Sequence, residues 1–181
     1  GDFAQYEVCV PGGTRAVVAA LPDPGGRIFF GQRFKSSEWY DAFPGVMLHA
    51  TAAQLRGISF AEHRRQVGVY HASTAGSVYR ALLKVLSNEA IAIWGPRVSS
   101  IYFEFGKFET HASGPNEVTG VRRGMPTELV QSTMHGSKGF TEETLRLAGA
   151  KQATFEIGTV DPGGRLHGQP LFDAAIRVRW T

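Results

Sequence analysis

Six histidines, one cysteine and a pair of adjacent arginines are the side chains here with the most chemistry to offer. The histidines are His49, His63, His71, His111, His135 and His167. None stands in a His-Glu-x-x-His pair or another spacing that would aim two imidazoles at one metal ion. His49 and His71 fall in segments patterned as helices that also carry core positions, so a structural role is expected for both. His63, in Glu62-His63-Arg64-Arg65, reads as part of a solvated helix face. His111 falls on a strand, His135 beside a helix glycine and His167 in a loop. A lone cysteine, Cys9, excludes an intramolecular disulfide and metal sites built on several thiolates. It reads as a buried or edge thiol, because no feature around it would lower its pKa. No nucleophile, base and orienting group can be picked out together, so no catalytic residue and no metal ligand is assigned, and an enzyme is not expected. Were the chain an enzyme, Arg123, His111 and Glu104 would be the first polar residues to mutate.

Arg122-Arg123 leads into Gly124-Met125-Pro126 and the start of a helix. Two guanidinium groups at a helix N-terminus can bind an anion. The plainer expectation is that one arginine faces water and the other pairs with an acid. Asp23-Pro24-Gly25-Gly26 and Asp161-Pro162-Gly163-Gly164 repeat one another, and both carry turn chemistry. Neither phosphate-loop pattern occurs. Tyr70, Tyr79, Trp94, Tyr102 and Phe105 follow helical spacing and read as core. They are also the natural walls of a pocket between helices and sheet, if one exists. The candidate pocket residues are Tyr79, Trp94, Tyr102, Arg123 and His71.

The elements that would position these residues change character along the chain. Residues 13–21 read as a short helix stopped by Pro22 and Pro24, and GGRIFFGQRF as another. SSEWYDAFP is an extended connector, after which Pro44 opens a helix with Val46, Leu48, Ala52 and Leu55 as its apolar positions. Ser59 and Glu62 have capping-box spacing ahead of a further helix. Val78, Leu82, Val85 and Leu86 form an amphipathic stripe. Asn88 would cap EAIAIW, and Pro96 would begin a helix in which Val98, Ile101, Tyr102 and Phe105 share a face. Residues 1–105 are thus mainly helical. KFETHAS and EVTGVRR then read as strands joined at Gly114-Pro115-Asn116. A long helix follows Pro126, weakened by Gly136 and Gly139 and stopped by Gly149. TFEIGT and the closing IRVRW alternate with period two around a Gly- and Pro-rich loop. Burying Ile176, Val178 and Trp180 would contribute on the order of 5–8 kcal/mol before entropy.

The expected fold class is α+β: a helical part, then strand–strand–helix–strand–strand in one antiparallel sheet (residues 106–181). At 181 residues, 43% hydrophobic and 19% charged, the chain suits one globular domain. A net charge of +3 is too small and scattered for a nucleic-acid footprint. No run of 18 apolar residues could span a membrane. No signal peptide is visible, and a cytoplasmic location is expected.

Several short motifs together carry a family resemblance: AALP, Ser37-Glu38-Trp39-Tyr40, IYFEFGKFE, the VRRGMP junction, LRLAGA and the closing VRW. They resemble a family of uncharacterised proteins found mainly in myxobacteria, a domain of unknown function. That family is distantly similar to the vinyl-reductase-type, TRAPP and haem–nitric-oxide-binding domains. The resemblance implies a helical part followed by a four-stranded antiparallel sheet with a helix between its hairpins. Haem-binding members use a histidine on a helix before the sheet and Y-x-S-x-R at the second strand. Here T-G-V-R-R ends in Arg123 at that place, with Thr119 and Val121 for the Tyr and Ser. No histidine lies between His71 and His111. Haem is therefore not expected, and the cofactor is left open. The resemblance implies a non-catalytic small-molecule-sensing or signalling domain. The alternatives are an interaction or scaffolding module, including a homodimer with Trp39 and Tyr40 in an exposed patch, and a haem or gas sensor using His71 or His49. The expected partner is a small molecule or another protein subunit.

Overall fold

The computed structural model describes residues 2–35, 38–76, 79, 81, 83–94 and 103–181, the side chains of Asp2 and Trp94 excepted. The chain forms two compact units, Gly1–Arg64 and Arg65–Thr181.

The first unit is helical. It holds α1 (Asp2–Cys9), α2 (Gly13–Ala19), α3 (Pro24–Gly31), α4 (Phe43–Leu55) and the start of α5 (Phe60–Thr74). Local chemistry sets the starts of α3 and α5. Asp23 Oδ2 accepts from the Gly26 amide at 2.7 Å with Pro24 just inside α3. Ser59 Oγ accepts from the Glu62 amide at 3.1 Å ahead of α5. Tyr6, Val10, Val17, Leu21, Leu48 and Ala52 form the core. His63, read from sequence as solvated, is fully buried. Arg64, one of the charged neighbours that suggested exposure, turns inward to the buried His49, and Arg56 turns to His63.

The second unit carries the sheet. It contains α6 (Asn88–Trp94), β1 (Lys107–Gly114), β2 (Glu117–Pro126), α7 (Thr127–Leu147), β3 (Ala153–Leu166) and β4 (Gln169–Trp180). The four strands are antiparallel in the order β1-β2-β4-β3. On β4, Ala174, Ile176, Val178 and Trp180 alternate inward, and they meet Phe155, Met125, Val130, Met134 and Leu145 in one core. Helix α7 is tied to β3 by Lys138, whose Nζ donates to Glu142 Oε1 at 2.6 Å and to the Phe155 carbonyl at 2.8 Å. Gly139, read as a weak point of α7, is a contact instead. A Cβ there would lie 1.9 Å from the Arg65 carbonyl oxygen of α5.

Further expectations change. Ser87, not Asn88, caps α6, accepting from the Ala90 amide at 3.1 Å. In the proposed stripe Leu86 packs on the core, whereas Val85 is 78% exposed; Val78 and Leu82 lie outside the described residues. Asp161-Pro162-Gly163-Gly164 lies inside β3 rather than in a loop. The reversal comes at His167 (φ 48°) and Gly168 (φ 82°), between the paired Leu166 and Gln169. Two central positive-φ residues make the tight turn whose twist suits a hairpin. Phe103–Phe105 are not helical, and the rest of the helix expected from Pro96 lies outside the described residues.

Candidate functional site

Strand β2 turns alternate side chains to opposite faces of the sheet. Val118, Gly120 and Arg122 are buried, as is Met125 beyond a register shift, whereas Arg123 is exposed. The adjacent arginines therefore have opposite surroundings.

Arg123 lies on the open face. Its Nε donates to Glu109 Oε2 at 2.6 Å and its Nη1 to Asp173 Oδ2 at 2.8 Å. Asp173 is held in turn by the Gly124 amide at 2.9 Å. The hydrogen bonds it donates to Glu109 and then to Asp173 hold the guanidinium pKa above its ordinary value.

Arg122 is fully buried. Its Nε donates to the Gly106 carbonyl at 3.0 Å and its Nη1 to Ser137 Oγ on α7 at 3.4 Å. The third nitrogen, Nη2, is buried with no hydrogen-bond partner among the described residues. The Phe108 ring centre lies 4.7 Å from Cζ and the Phe103 ring centre 5.7 Å away, within cation–π range. Burial alone lowers the guanidinium pKa to about 10, with no carboxylate contributing. Gly106 makes room for the group: its φ is +72°, and a Cβ there would lie 2.6 Å from Arg122 Nε. A buried cation with flanking aromatic rings and an unused donor is chemically suited to a carboxylate or phosphate carried on an apolar body.

The other sequence candidates are placed as follows. Tyr79 packs on the sheet core and approaches Thr144 Oγ1 at 3.2 Å and the Phe140 ring at 6.2 Å. His71 is half-buried in the last turn of α5, its ring 6.2 Å from that of Tyr70. Trp94 ends α6, and Tyr102 lies outside the described residues. Arg123 stands on the face of β2 opposite the core into which Tyr79 packs. The T-G-V-R-R register that pointed to Arg123 thus falls on outward positions, and the inward triplet is Val118, Gly120 and Arg122. With two arginines in succession the sequence cannot show which one faces in, because a one-residue slip exchanges the faces. A depression of about 300 Å³ beside Asn116, Glu117 and Arg179 lies toward the other end of β2 and does not include Arg122. Among the described residues there is no group of three or more His, Cys, Asp or Glu side chains placed to hold a metal. No described helix is long and apolar enough to cross a membrane.

The same fold occurs among solved H-NOX domains. A point mutant of the T. tengcongensis H-NOX protein matches with a TM-score of 0.62 at 11% identity, over 93% of this chain and 95% of that one. An unliganded Fe(II) H-NOX protein from K. algicida matches at 0.61 and 13%, over 93% and 85%. A Cs H-NOX variant carrying 4-cyano-L-phenylalanine matches at 0.66 and 9%, over 93% and 85%. At such identities the likeness is one of fold. No family model matches the sequence, and no curated protein does.

Proposed function

We propose that this chain is a non-catalytic, ligand-sensing domain on the H-NOX fold, and that its ligand presents an anionic group to Arg122. The observation that carries this reading is the fully buried guanidinium whose Nη2 has no partner, and whose charge no acid offsets, among the described residues. Leaving a charge in that state costs several kcal/mol, and a bound carboxylate or phosphate offsets the loss. Phe103 and Phe108 flank the group and favour a flat apolar body next to the acid.

Haem is the first ligand to test, since it joins carboxylates to a flat apolar ring. Matched structures include one concerned with haem redox potential tuned by protein-induced porphyrin distortion. The residues fit the acid end of haem through Arg122. For the iron they offer no histidine between His71 and His111, so His71 is the side chain to examine as its ligand. Native mass spectrometry of freshly purified protein, with haem reconstitution followed by its Soret band, tests both levels. A retained anionic molecule, or a Soret band weakened at least ~10-fold in occupancy by Arg122→Met and unaffected by Arg123→Met, supports the reading. Loss of the band in His71→Ala supports the haem version. No retained molecule, together with haem uptake indifferent to Arg122, overturns the reading.

A further inference from the structure

The helical unit buries a polar cluster that has no part in the site on β2. Tyr6 on α1, His49 on α4 and His63 on the first turn of α5 are 0%, 4% and 0% exposed. His49 Nδ1 lies 2.6 Å from Tyr6 Oη and 3.3 Å from His63 Nε2. The Tyr6 ring stacks on His63 and meets His49 edge-on, with centroids 6.0 and 5.9 Å apart. Each imidazole then presents its other nitrogen to an arginine. Arg64 Nη1 is 2.5 Å from His49 Nε2, and Arg56 Nη1 is 3.1 Å from His63 Nδ1.

Guanidinium groups can only donate hydrogen bonds. His49 Nε2 and His63 Nδ1 therefore accept, which makes both imidazoles neutral with their protons on the inner nitrogens, and the 3.3 Å approach of His49 Nδ1 to His63 Nε2 is then a packing contact between two N–H groups rather than a hydrogen bond. His49 Nδ1–H donates to Tyr6 Oη. A metal ion among Tyr6, His49 and His63 would need those inner nitrogens bare, and it would set a dication between two arginines. The cluster is instead arranged to refuse a proton. Protonating either ring turns an acceptor into a donor facing a guanidinium, and it adds a further positive charge to a buried site. On the surrounding elements, Glu62 lies in the first turn of α5, and Glu7 on α1 is engaged by the Thr14 amide at 3.0 Å.

We propose that Tyr6, His49 and His63 form a proton-operated latch holding α1 to α4 and α5. Above the ordinary histidine pKa of about 6.5 the rings are neutral and the latch is closed. Below it the opened form binds more protons than the closed one, so falling pH drives opening.

The test uses the full chain without added ligand. Long-range ¹H–¹⁵N spectra of the histidine rings are followed from pH 8 to pH 5, with hydrogen exchange of the α1 amides alongside. At pH 8 two of the six rings should be neutral in opposite, fixed tautomers, His49 as Nδ1–H and His63 as Nε2–H. They should change together in one step below pH ~6.5, with α1 exchange rising at least ~10-fold. The double variant His49→Gln, His63→Gln should lose that step. Six rings titrating independently with α1 exchange unchanged would overturn the proposal, as would the same step persisting in the folded double variant. If the variant does not fold, the wild-type titration decides alone.

Discussion

Arg122 and Arg123 are joined by one peptide bond and differ in almost everything else. Arg123 is exposed and held by two carboxylates, whereas Arg122 is buried and held by none among the described residues. On the open face water already stabilises the charge, so the ion pairs add little. On the covered face the sheet removes water and leaves a guanidinium donor without a hydrogen-bond partner among the described residues. The contrast teaches that the visible ion pair is the ordinary arginine, and that the one lacking an acid is the candidate for function.

The largest expected effect separates function from stability. In Arg122→Met the apolar chain fills the space of the guanidinium stem without its charge. Ligand retention should fall at least ~10-fold, while the ligand-free protein becomes more stable. The drop of the Arg122 pKa from the ordinary guanidinium value to about 10 corresponds to roughly 3 kcal/mol. Loss of the hydrogen bond to Gly106 reduces the gain. Denaturant unfolding of both proteins without ligand measures it, and a marked destabilisation would make Arg122 a structural residue.

The same difference should depend on pH in one direction. Because the folded pKa lies below the unfolded value, the unfolded chain binds more protons from pH about 10 up to the ordinary guanidinium pKa. Stability from this group therefore rises with pH through that window. The cost of Arg122 is fully present at neutral pH and begins to be relieved near pH 10. The advantage of Arg122→Met over wild type should be constant from about pH 7 to about 9 and then narrow. A gap that widens above about pH 10 would contradict the assignment.

A somewhat smaller effect sharpens the local geometry. Gly106→Ala places a Cβ 2.6 Å from Arg122 Nε at a φ of +72°. A loss of about 2 kcal/mol is expected, roughly half of it backbone strain. In the Arg122→Met background the steric half should largely disappear, which a double-mutant cycle measures.

Much of this frame was legible in the sequence because it is written in local signals. Ser59 and Glu62 mark the start of α5, Gly114-Pro115-Asn116 marks the first hairpin, and the alternation of Ile176, Val178 and Trp180 marks the covered face. The α+β order and the antiparallel sheet follow from these. What stayed hidden depends on tertiary neighbours. Asp-Pro-Gly-Gly caps a helix at Asp23 and runs through a strand at Asp161, so the same four residues take their structure from the surrounding chain. Gly139 weakens an isolated helix, yet here it lets the α5 backbone approach. His63 looked solvated among charged residues because the partners that bury it, Tyr6 and His49, are distant in sequence. The inward arginine was missed for a related reason: period two fixes which residues alternate, but two identical neighbours leave the face undetermined.

The smallest effect checks the open face. Arg123→Met removes two ion pairs to Glu109 and Asp173, but all the charges involved keep access to water. Screening and side-chain entropy leave such pairs little net worth. The melting midpoint should fall by no more than about 2 °C and become less sensitive to salt. Ligand retention should stay at the wild-type level, since nothing about Arg122 changes across the strand. If Arg123→Met instead abolished retention and Arg122→Met did not, the acid group would be bound on the open face, and the two arginines would exchange the roles assigned to them.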